Sequence, residues 1–261
     1  MKYKKSIGEL IDEYESNSSY KLHNFLLISK HIQYVFEDNF KEFLNHINKY
    51  EKETVSRRKK FKEKKLTRIK NRNYLKKFIK YFHNYVAAVY SAEEYYNKFL
   101  PMKRSVWEKF KTIKQEPLHL FIFALRTNIT HYTIPPISIS VIHKKRMTNQ
   151  GEVLFLTKGQ FRVSKTAILS DHQNAQPTRR RGQSNSKFLS DDSKRNILYR
   201  YILEEYRGTL SIDLKRVIKN HRILFLKYIC KADSELVESD KIQYSEIKKL
   251  YQEIIKRQSL L

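Results

Sequence analysis

With 261 residues the chain can form one large domain or two small ones, each with a core. Its 53 Lys+Arg against 27 Asp+Glu leave a formal charge of +26, well past what solubility needs. That balance implies a polyanionic partner, nucleic acid first and an anionic membrane surface second, with plain lysine-rich composition as the alternative. The single cysteine, Cys230, excludes a disulfide framework or a cysteine-based zinc site and fits a reducing compartment; within its apolar run it reads as a small buried hydrophobe.

The N-terminal run MKYKKSIGELIDEYES has no apolar signal region, and no stretch approaches the roughly 18–20 apolar residues of a membrane span, so a cytoplasmic protein is expected. A short helix is predicted over 7–14, then a polar break at Ser16-Asn17-Ser18-Ser19. From Tyr20 to Lys49 the residues Leu22, Phe25, Leu26, Ser29, Ile32, Phe36, Phe40, Phe43, Leu44 and Ile47 recur at helical spacing. No glycine or proline falls between Gly8 and Pro101, which predicts long uninterrupted helices.

The segment 56–80 holds thirteen Lys or Arg against the single acid Glu63, a net +12. It reads either as a solvated or irregular basic stretch, or as a phosphate-contacting surface. Like charges this dense repel and call for a counter-charge, which favours phosphate contact. Arg57, Arg58, Lys59, Lys60, Lys62, Lys64, Lys65, Arg68, Lys70 and Arg72 are therefore the candidate phosphate-contacting residues, acting without sequence preference.

Tyr74, Leu75, Phe78, Ile79, Phe82, Val86, Val89 and Tyr90 form an aromatic stripe whose strict helical spacing marks it as core rather than as a stacking platform for bases. Pro101 ends that helix, and Ser105 is expected to cap the next. Leu118–Pro136 (LHLFIFALRTNITHYTIPP) predicts a helix burying one face through Leu118, Phe121, Ile122, Leu125 and Ile129, and ending before Pro135-Pro136.

Beyond it the period changes to two: Ile137, Ile139 and Val141 alternate with Ser138 and Ser140, Asn149-Gln150-Gly151 signals a turn, and Val153–Leu156 and Phe161–Val163 read as returning strands. A β-hairpin or three-stranded ribbon over about 137–163 is expected. Residues 170–193, with Arg179-Arg180-Arg181, read as a polar loop. Helical patterns resume from Asp192 to a stop at Gly208, again from Ser211, and last over 244–258. No internal repeat or domain boundary is found, so a single mainly α domain over 1–261 is expected.

Familiar catalytic constellations are missing. There is no GxGxxG, GxxxxGK[ST] or HExxH, and the nine histidines are dispersed without metal-ligand spacing, so neither cofactor nor metal is expected. What remains is Arg126-Thr127-Asn128-Ile129-Thr130-His131. A histidine titrates near neutrality and can move the 2′-hydroxyl or leaving-group proton of RNA; an arginine stays charged and presents a fork to phosphate oxygens. Five residues turn an ideal helix through about 500°, leaving the two side chains about 140° apart. Either the last turn is distorted or two copies of the chain share the site. The plain alternative is that both cations cap carbonyls at a helix C-terminus. In a second Arg-x4-His match, Arg216 to His221, the histidine continues an apolar face and reads as packing or as a hydrogen-bonded core histidine.

The run ALRTNITHYTIPPISI resembles the HEPN superfamily, helical domains whose ribonuclease members carry an arginine, four to six residues, then a histidine. It looks like the bacterial branch in which the motif helix ends at a proline turn and passes into a hairpin. SIDLKRVIKNHRILFLKYI is similar to a late helix of that branch. Active members usually have a polar residue, often asparagine, directly after the arginine; here Thr127 stands there and Asn128 follows. The resemblance implies a HEPN-like helical bundle acting as a metal-independent endoribonuclease. Arg126 would stabilise the phosphate, His131 would act as general acid/base and Asn128 would orient. It also implies a homodimer with the site at the interface, and a role in defence or a toxin–antitoxin-like system with an antitoxin or regulatory partner. A non-catalytic RNA-binding adaptor is the alternative. A DNA-binding protein is a third reading, without a recognition-helix signature.

Overall fold

A computed structural model describes residues 5–56, 64–131, 137–147, 153–166, 168–169 and 192–259. The described chain is mainly helical, with one small antiparallel sheet. Helix α1 (Ile7–Ser16) starts on a capping box: Ser6 Oγ accepts from the Glu9 amide, and the Glu9 carboxylate accepts from the Ser6 amide. Without glycine or proline to interrupt them, α2 (Tyr20–Ser56) and α3 (Lys64–Phe99) run for 37 and 36 residues. Pro101 lies in a 3-10 turn, Leu100–Met102, that follows α3. Helix α4 (Arg104–Lys111) begins one residue before the expected cap, so Ser105 sits inside its first turn. Helix α5 (Pro117–His131) opens on a proline, whose missing amide costs nothing at a first helical position.

Strands β1 (Ile137–Met147) and β2 (Val153–Ser164) pair antiparallel from Ile137 opposite Val163 to Met147 opposite Val153. The expected break within the returning strand is absent: β2 is continuous through Gly159. Helix α6 (Asp192–Glu205) ends in a turn at Gly208, whose φ of +74° suits a residue without Cβ. The helix expected from Ser211 starts later. Ser211–Asp213 instead form β3, with Ile212 opposite Val163, and complete the sheet in the order β1-β2-β3. Asp213 Oδ1 accepts from the Lys215 amide and so caps α7 (Leu214–Ser239). Helix α8 (Lys241–Gln258) ends the described chain. The expected turns at Pro135-Pro136 and Asn149–Gly151, and the polar loop with Arg179–Arg181, lie outside the described residues. None of the described helices is long and apolar enough to cross a membrane.

The chain packs as two compact units whose boundaries fall inside α2, α3 and α7. The first comprises residues 1–35, 91–111 and 226–261. There α1 and α8 close over Leu10, Tyr14, Ile247 and Ile254. Tyr14 Oη lies 2.8 Å from His23 Nδ1 and donates to Asn24 Oδ1 at 2.8 Å. Cys230, expected to be buried, is exposed on α7, because the apolar face of that helix runs through Phe225 and Ile229 and leaves position 230 a hundred degrees round.

The second unit comprises residues 36–90 and 112–225. Its core joins Phe36, Phe43 and Tyr50 of α2 with Phe78, Phe82 and Tyr85 of α3, Phe161 of β2 and Phe225 of α7. Helix α5 departs from the expected single buried face: Leu120 through Leu125 are all buried, so the helix is enclosed on every side over those turns. Two ion pairs brace α2 against α7. Lys215 Nζ meets Glu51 at 2.6 Å, and Arg222 grips Glu37 through two nitrogens while lying over the Phe40 ring.

Candidate functional site

The candidate motif occupies the last turns of α5. Leu125 is still fully buried, and the next residue, Arg126, is half-buried, with its guanidinium carbon 5.8 Å from the centre of the Tyr90 ring on α3. Tyr90, expected in the core stripe, is half exposed and forms this contact instead. Thr127 Oγ1 donates back to the Phe123 carbonyl at 3.0 Å, as a threonine one turn on in a helix does. Asn128 and His131 belong to α5 by backbone, His131 as its final residue, while their side chains lie outside the described residues.

The second Arg-x4-His match is accounted for by packing. Arg216 pairs with Glu205 at 2.8 Å on the surface. His221 has no exposed area and belongs to a buried chain: Tyr85 Oη lies 2.7 Å from its Nδ1, and its Nε2 lies 3.0 Å from His119 Nδ1. A neutral ring donates from one nitrogen and accepts at the other, so Tyr85 and His119 between them partner both nitrogens of His221. Burial, reinforced by the neighbouring His119, holds His221 well below the usual histidine range, and burial raises the Tyr85 hydroxyl. Neither group changes charge near neutrality, which suits a structural hydrogen-bond chain.

His119 and Tyr85 are not among the residues expected at a site. Both carried a signal: Tyr85 follows Phe82 by three and precedes Val89 by four, and His119 lies two turns before Arg126. Equally unexpected is a second buried network, in the first unit, where Asp233 accepts from Tyr96, Ser29 and Gln33. Asp233 stands four residues after Ile229 and three before Leu236, on the buried face of α7.

The basic candidates divide. Arg57, Arg58, Lys59, Lys60 and Lys62 lie outside the described residues. Lys64, Lys65, Arg68 and Lys70 fall in the first turns of α3 by backbone, and Arg72 is exposed there, followed by exposed Lys76, Lys77 and Lys80. Eighteen helical residues separate Arg72 from Tyr90, about 27 Å along the α3 axis, so Arg72 stands well away from the contact that Arg126 makes with Tyr90. Among the described residues no three His, Cys, Asp or Glu side chains gather as a metal site would require. Comparison with protein-family models, curated proteins and solved structures returns no match.

Proposed function

We propose that the protein is a HEPN-like, RNA-binding endoribonuclease that needs no metal, with Arg126 and His131 as its reacting pair. The observation that supports this most is where the motif falls along α5. The helix is enclosed from His119 through Leu125, and the polar stretch that follows runs from Arg126 to the last helical residue, His131. A histidine takes the proton from a ribose 2′-hydroxyl, the oxygen attacks the adjacent phosphorus, and the 5′-oxygen leaves with a proton returned to it. The result is a 2′,3′-cyclic phosphate and a 5′-hydroxyl. The guanidinium of Arg126 offsets the charge that builds on the phosphorane, and Asn128 orients the reacting groups. One histidine cannot be base and acid in the same step, so a homodimer supplying two copies of His131 fits the chemistry. The cationic run from Arg57 to Arg72 guides the RNA backbone.

A second reading is a non-catalytic RNA-binding adaptor, favoured by the contact of Arg126 with Tyr90, which already gives the guanidinium a structural partner. Incubation of a mixed RNA pool with the protein in EDTA separates the two. Cleavage leaving 2′,3′-cyclic phosphate and 5′-hydroxyl ends is expected of the nuclease. Retained RNA binding with an intact pool would make the protein an adaptor.

A further inference from the structure

A cleft of about 550 Å³ opens between the second half of α2 and the first half of α3, within the second unit and beside the basic run. Its volume is that of a small-molecule site, for which roughly 300–1,000 Å³ is usual. The chemistry of its lining is what sets it apart from the surrounding surface. Tyr74 and Tyr81 give it aromatic walls, and the His46 ring lies between them, 5.5 Å from Tyr74 at 30° and 5.2 Å from Tyr81. His46 Nε2 lies 3.0 Å from the Tyr74 carbonyl, which can only accept, so that nitrogen carries the hydrogen and Nδ1 is left as an acceptor.

The polar lining is balanced in charge. Lys49 and Lys77 face Glu42 and Glu53, and the amides Asn45 and Asn73 supply donors and acceptors without charge. A site built for phosphate would carry a surplus of cations. Here the surplus stands outside, on exposed Arg72, Lys76 and Lys80 of α3. Neutral, flat and rich in hydrogen-bonding groups describes a nucleobase; a cationic border describes where its phosphates would run.

We propose that this cleft takes one base of a single-stranded RNA, stacked on the Tyr81 ring and hydrogen-bonded at its edge by Asn45 and Asn73, with the adjoining phosphates on Lys76 and Lys80, which flank the lining face of α3. The assignment rests on the RNA-binding part of the reading above and is independent of cleavage. It turns a purely electrostatic surface into one that distinguishes a strand with bases from a bare polyanion.

The test compares binding of a single-stranded 2′-O-methyl RNA decamer, which cannot be cut through its 2′-oxygen, with an abasic decamer of equal charge. Stacking of one base is worth roughly 5-fold to 100-fold in affinity, so the wild type is expected to favour the base-bearing strand by that ratio. Tyr81→Ala should bring the ratio close to one and Asn73→Ala should lower it several-fold, both leaving abasic binding unchanged. Tyr81→Phe, which keeps the ring and the fold, should retain it. Equal binding of both decamers by the wild type overturns the cleft and leaves charge-driven RNA binding standing. Binding of neither overturns both. A ratio unaltered by Tyr81→Ala and Asn73→Ala in variants that melt as the wild type does also overturns the assignment.

Discussion

Three donors converge on one carboxylate in the first unit. Tyr96 donates to Asp233 Oδ1 at 2.7 Å, while Ser29 and Gln33 donate to Oδ2 at 2.8 Å each. Burial still pushes the Asp233 carboxyl above its ordinary range, against the pull of those three donors. Asp233→Ala leaves the buried Ser29 and Tyr96 hydroxyls and the half-buried Gln33 amide to find other partners, and unfolding in urea should show a loss of about 2–4 kcal/mol. Asp233→Asn can still accept from Ser29 and Gln33 while the Tyr96 hydroxyl turns to accept, so it should lose far less.

Histidines set the neutral end of the pH profile. His23, His46 and His221 are all held below the ordinary histidine range, first by burial. A histidine whose folded pKa is depressed contributes fully above its unfolded value of about 6.5, and that contribution is lost as pH falls below it. Asp233 acts in the opposite sense: its raised folded pKa costs stability above the unfolded carboxylate value and returns it as pH falls through the raised value. Three groups against one predict a lower urea midpoint at pH 5.5 than at 7.5. His221→Gln should lower the midpoint at 7.5 and make the fall between the two shallower.

At the scale of elements, the docking of β2 on α2 turns on one missing side chain. A Cβ at Gly159 would lie 2.6 Å from Tyr50 Cε1 and 2.8 Å from Thr54 Oγ1, and Tyr50 is buried. Glycine inside a strand marks such a close approach of another element. Gly159→Ala should cost about 1–3 kcal/mol in urea unfolding. Combined with Tyr50→Ala it should cost less than the two single changes together.

That same glycine explains why the expected returning strand was split in two: a breaker by composition was a contact point in space. Helix positions were legible wherever one face alternated with solvent, as along α2 from Leu22 to Ile47. Helix α5 was legible as a helix but not as an enclosed one, because periodicity reports a face only when another face is wet. Strand β3 was hidden because three residues, Ser-Ile-Asp, carry no period and owe their form to pairing with β2. Of the candidate site, Arg126 could be read from its neighbours in sequence. Its partner Tyr90 could not, since it lies 36 residues away and meets Arg126 only through packing of α3 and α5; nor could the chain from Tyr85 through His221 to His119, which packing of α3, α7 and α5 brings together.

At the scale of the whole molecule, +26 at pH 7 is the property that reaches furthest. It predicts attraction to any polyanion, and attraction alone does not distinguish a nuclease from an adaptor. On the proposed reading the distinction lies with Arg126 and His131 at the end of α5. The most direct measurement is therefore the rate of RNA cleavage in EDTA by the wild type, Arg126→Ala, His131→Ala and His221→Gln, with binding of uncleavable 2′-O-methyl RNA measured alongside. Loss of a transition-state donor or general acid/base predicts a fall of about 100-fold or more in Arg126→Ala and His131→Ala. Both should still bind RNA, and His221→Gln should still cut. Undiminished cleavage in both motif variants, or its loss in His221→Gln alone, would contradict the account.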